Sequence, residues 1–136
     1  MRRSPIVVLA VALMAMFVIA VLVNAQDKPM AKPETISGTL VDLKCYAAGG
    51  FLTNDHGDMK GCGAMCATGG LPLGLVDANK KVHLLGVPAP AYASLVGQEI
   101  RFTGMHGKNA DVFIPEKMEV KREGKWLEEK LPKTMM

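Results

Sequence analysis

The chain has 136 residues, enough for one domain, with 16 basic and 13 acidic residues for a formal net charge of +3. So weak a charge argues against nucleic acid as a partner, because phosphate recognition needs a basic surface. The three cysteines are an odd number, so at most one intramolecular disulfide can form and one sulfur is left for another use.

The first 25 residues read as an export signal. Arg2 and Arg3 precede an uninterrupted apolar run from Ile6 to Val23, and Val23-Asn24-Ala25 offers the residues that a signal peptidase accepts. The mature chain is then expected to begin at Gln26. The run is longer than the roughly 7–15 residues of an ordinary signal and near the roughly 18 that begin to span a bilayer, so an N-terminal anchor is the alternative. The expected location is periplasmic or secreted, or inner-membrane anchored facing the periplasm. Membrane contact is expected only through this segment, if it is uncleaved. Without it, 14 basic residues face 13 acidic ones and the formal charge falls to +1. Residues 26–34, polar with two prolines, read as a linker.

Residues 35–136 are expected to form one β domain with a C-terminal extension. A β-branched stretch from Thr35 predicts a first strand ending near Cys45. Residues 46–70 are glycine-rich with little alternation and read as a long loop, with two turns of helix around Gly61 to Thr68. Leu71 to Val76 and Lys81 to Leu85 flank Asp77-Ala78-Asn79-Lys80, a hairpin signal. Ala89 to Val96, entered through prolines and closed by Gly97, suits a short helix. Glu99 to Met105 alternates, with Ile100, Phe102 and Gly104 on one face. A turn at 106–109, a strand over Val112 to Ile114, and either a last hairpin or an extended strand with a bulge from Met118 to Leu127 complete the pattern. The class is mostly β. The order strand, long loop, two strands, short helix, two strands is that of a small five-stranded OB-like barrel, and a small open β-sandwich produces a similar order.

The chemistry concentrates in HGDMKGCGAMCATGG, residues 56–70. On a helix Cys62 and Cys66 share a face with Cβ atoms roughly 6 Å apart, suited to one soft metal ion and too wide for an easy disulfide. Cys45 supplies a third sulfur, and three readings compete. One is a structural disulfide from Cys45 to Cys62 or Cys66, the default fate of neighbouring thiols after export. The second is a metal site of Cys45, Cys62 and Cys66 for copper or zinc, completed by His56 or Met65. The third is a redox-active thiol at Cys62 or Cys66, which the absence of a Cys-x-x-Cys motif disfavours.

His56 lies in a polar turn where solvent exposure is expected unless the metal site exists, and His83 and His106 read as strand and turn residues. Asp55 and Asp58 read as turn formers. Met59 and Met65 offer thioethers beside the cysteines, although methionine is also a common core filler. Trp126 is expected to cover an open end of the barrel. No nucleophile elbow, phosphate-binding loop or catalytic carboxylate pair is present, so binding is favoured over catalysis, with a protein or small ligand as the unassigned partner.

The segments GTLVDLKCY, HGDMKGCGAMCATGGLPLGLVD, KVHLLG and GQEIRFTG, spanning about residues 36–105, resemble a group of small exported bacterial proteins of uncharacterised function. The resemblance implies an OB-like secreted domain in which Cys45, Cys62 and Cys66 belong together. It implies no reaction.

Overall fold

A computed structural model describes residues 32–133. The expected signal, residues 1–25, lies outside the described residues, as do linker residues 26–31 and the last three residues. Among the described residues the protein is mostly β, a single six-stranded sheet with three short helices. The strands are β1 (Glu34–Asp42), β2 (Leu73–Val76), β3 (Val82–Leu84), β4 (Glu99–His106), β5 (Phe113–Arg122) and β6 (Lys125–Glu129). They lie in the order β3-β2-β1-β4-β5-β6, and every neighbouring pair is antiparallel. The expected mostly β class is found, but the sheet has six strands and is not closed, so it is not the expected five-stranded barrel. One parallel bridge, Leu85 to Phe113, with Gly86 N–H donating to Phe113 O at 2.8 Å, links the end of β3 to the start of β5.

β1 is the central strand and pairs with two partners in succession. Glu34–Thr39 meets β4, and Thr39–Asp42 meets β2. The alternation in β4 buries Ile100 and Phe102 completely, as its sequence predicts. They pack with Ile36, Leu40, Leu75, Phe113 and Val120 in one core. The 3-10 helix Ala89–Leu95 covers that core with Tyr92, whose ring meets Phe102 edge-on at 6.3 Å.

Asp77 to Lys80 turns between β2 and β3 as expected, with the Asp77 carboxylate accepting from the N–H groups of Asn79 and Lys81. β5 differs from expectation, because one ten-residue strand replaces two short pieces. Pro115 does not interrupt it. It pairs with Gly104 where the register shifts at Thr103/Gly104, a bulge of the kind at which a ladder tolerates a residue without an N–H. Glu123 and Gly124, both at positive φ, form the tight turn that adds β6. Trp126 lies on the sheet with the Arg101 guanidinium 4.2 Å from its ring centroid, and does not plug a barrel end.

The largest difference falls between β1 and β2. In place of a long loop with one helical segment, this stretch holds α1 (Leu43–Gly49) and α2 (Cys62–Thr68). Cys45 is therefore not at a strand end. Asp42 is the N-cap of α1, and its Oδ1 accepts from the Cys45 N–H at 2.9 Å. The β-branched residues stop at Val41, and an N-capping Asp followed by Leu-Lys-Cys-Tyr-Ala-Ala favours a helical turn over further strand.

Candidate metal centre

Cys45 stands in the first turn of α1, and Cys62 and Cys66 stand one turn apart on α2, the spacing expected of them. The packing of α2 decides where its sulfurs go. Ala67 is fully buried in the core cluster, and Gly63 sits so close to Val96 that an added Cβ would lie 2.7 Å from that side chain. This face of α2 must therefore stay small.

The start of α2 has no side-chain cap of its own, and its N-cap Gly61 is left-handed, with φ +67. The preceding loop takes up the N–H groups that a helix start leaves unpaired. Asp55 Oδ1 accepts from Gly61 N at 2.7 Å, Asn54 O from Gly63 N at 3.0 Å, and Asn54 Oδ1 from Ala64 N at 2.8 Å. Asp55, expected only to shape a turn, thus anchors the helix that carries two cysteines. Its carboxyl is held below the usual range, first by the Gly61 N–H and then by Lys60, 3.2 Å away.

The result brings the three sulfurs within 4.8 Å of one another. All three are free cysteines and half-buried, and the Cys45 and Cys66 sulfurs are 3.9 Å apart. A disulfide requires about 2.05 Å, so no S–S bond is formed. Thiolates bound to one tetrahedral ion at about 2.3 Å stand about 3.8 Å from each other, close to the 3.9 Å between the Cys45 and Cys66 sulfurs. The donor set therefore fits a soft or borderline metal. Burial pushes the Cys45 thiol up to about 12, with the Asp42 carboxylate and the other two thiols adding to the shift. At neutral pH it is a protonated thiol and a weak nucleophile, and a bound cation is what reverses that preference.

His56 departs from expectation, being buried at 3% exposure. Its backbone pairs with Met59 across a tight turn, so Gly57 and Asp58 face solvent while the imidazole turns inward. The ring stacks on Phe51 with centroids 4.5 Å apart, and Nε2 lies 3.0 Å from the Thr53 carbonyl. His56 does not join the three-sulfur group. It forms a second group with Asp42 and Cys45, again within 4.8 Å, and the two groups share only Cys45.

Asp42, 1% exposed, is the member that sequence reasoning missed. Its signal was an Asp three residues before Cys45, the spacing of a helix N-cap. Met59 and Met65 are exposed, at 59% and 63%, and are not the core fillers that their type suggests. His83 lies in β3 as expected and faces Asp77 at 3.3 Å, whereas His106, expected in a turn, is the last residue of β4 and faces Glu34 and Asp111 at 2.8 and 2.9 Å. Compared with known proteins, the chain matches no family model, no curated protein and no solved structure.

Proposed function

We propose that the protein is an exported binding protein in which Cys45, Cys62 and Cys66 hold one soft transition metal, copper or zinc. The observation that carries this reading is the convergence of three unbonded sulfurs within 4.8 Å, one from α1 and two from α2, whose start the preceding loop anchors. Thiolate ligands select copper(I) and zinc over harder ions. Export is supported by the charged and apolar pattern of residues 1–25 and by the resemblance to small exported bacterial proteins. Among the described residues no helix is long and apolar enough to cross a membrane. An OB-like barrel is supported by the element order and by the Leu85 to Phe113 bridge.

A second reading has its own support. The Cys45 and Cys66 sulfurs need only close from 3.9 Å to bonding distance to staple α1 to α2 in an oxidising compartment. The protein would then be an interaction module without metal. Its ligand surface would be the cleft of about 570 Å³ between Tyr46 and Leu52 on one side and Trp126 on the other. The test is to purify the protein without reductant and determine free thiols and bound metal by intact mass and elemental analysis. A stoichiometric metal that shields all three cysteines supports the metal reading. A mass two units low, one reactive thiol and no metal would replace it with the staple.

A further inference from the structure

His56 presents a buried nitrogen that nothing satisfies. A carbonyl oxygen can only accept, so the contact with Thr53 fixes the hydrogen of the neutral ring on Nε2. Nδ1 then carries a bare lone pair, buried and without a hydrogen-bond partner. Such a group carries an uncompensated desolvation penalty unless something binds it. Metal-ligating histidines have this arrangement, one ring nitrogen held by a carbonyl and the other directed at the ion. Phe51, stacked on the ring, restricts its rotation.

The neighbouring groups supply the other ligands. Asp42 Oδ1 is occupied by the Cys45 N–H, which holds the carboxylate in place beside the thiol. One oxygen of Asp42, one nitrogen of His56 and the sulfur of Cys45 lie within 4.8 Å of one another. An O, N, S set is harder than three sulfurs and suits a borderline divalent ion such as zinc.

We propose that Asp42, Cys45 and His56 form a second metal position, and that the Cys45 thiolate bridges it to the ion held by Cys62 and Cys66. The second position rests on the three-cysteine reading only through its bridge. Charge supports the pair. Three thiolates and one carboxylate carry four negative charges, which two divalent cations neutralise, whereas one ion leaves a partly buried excess of anions.

The test is zinc titration of the full chain, with elemental analysis after desalting and 15N NMR of the imidazoles. The wild type is expected to bind two zinc ions. His56→Asn is expected to bind one, as is Asp42→Asn, which keeps an N-capping side chain. The Cys62→Ser/Cys66→Ser double variant is expected to retain one zinc at the second position. On the second equivalent of wild type the His56 Nδ1 resonance should shift while Nε2 keeps its hydrogen, a readout that needs no variant to fold. One zinc that persists in His56→Asn and disappears in the double variant would overturn the second position and leave the three-thiolate reading intact. One zinc that disappears in His56→Asn and persists in the double variant would instead uphold the second position and remove the three-thiolate site.

Discussion

The sheet and the cysteine corner are held by different forces. In the sheet, Leu40, Leu75, Ile100, Phe102, Phe113 and Val120 are completely buried, and each strand is paired over several residues. In the corner, α1 buries no residue of its own and α2 buries only Gly63 and Ala67. Order there comes from individual hydrogen bonds through Asp42, Asn54 and Asp55 and from whatever joins the three sulfurs. The sheet is stable by apolar burial, which needs no partner. The corner has little apolar burial, so a ligand that binds only its folded form adds a large share of its stability.

The largest effect should follow from damage to the sheet. Phe102→Ala removes a fully buried ring that contacts Tyr92 and should cost about 3–5 kcal/mol in chemical denaturation, unfolding sheet and corner together. Metal should act on the corner alone. At a free concentration one hundred times its dissociation constant, a bound ion adds about 2.7 kcal/mol to the form that binds it. Hydrogen exchange should therefore slow across α1 and α2 on loading while the β4 amides stay unchanged, and a chelator should reverse it. Equal slowing in both regions would show that the corner has no separate stability.

A smaller effect is expected at the loop that anchors α2. Asn54→Ala deletes the acceptor for the Ala64 N–H and should cost about 1 kcal/mol, with fraying of α2 and weaker metal binding. The smallest effect is acid sensitivity. The Asp55 carboxyl is held below 3.8, chiefly by the Gly61 N–H. A depressed carboxyl stabilises the fold above its unfolded value, and that contribution is lost as pH falls from about 3.8 through the lower folded value. Asp55→Asn should remove this part of the acid titration, measured as exchange in α2. Asp77 is shifted in the same direction by the Lys81 N–H, so its loss should be confined to the β2–β3 turn.

The same contrast governs what could be read without coordinates. Alternation at Ile100 and Phe102 and the turn residues Asp77 to Lys80 encode their structure locally, and the sheet follows them closely. The cysteine spacing was also legible, since Cys62 and Cys66 needed only one helical turn to share a face. The burial of His56 was not, because it depends on Phe51 and on a backbone pair with Met59 inside a segment whose composition suggests exposure. The Thr-Leu-Val before Asp42 suggests a strand that runs on to about Cys45, whereas Asp42 caps a helix there. The sequence divides β5 at Pro115, whereas the bulge there, with Glu116 left between the pairs Thr103–Lys117 and Gly104–Pro115, is a property of two strands together.

The most direct measurement of the central claim is X-ray absorption at the metal edge of the full chain loaded with one equivalent of zinc. Ligation by Cys45, Cys62 and Cys66 predicts three sulfur neighbours at about 2.3 Å, falling to two in Cys66→Ser. A shell of nitrogen and oxygen alone, unchanged in that variant, would contradict it.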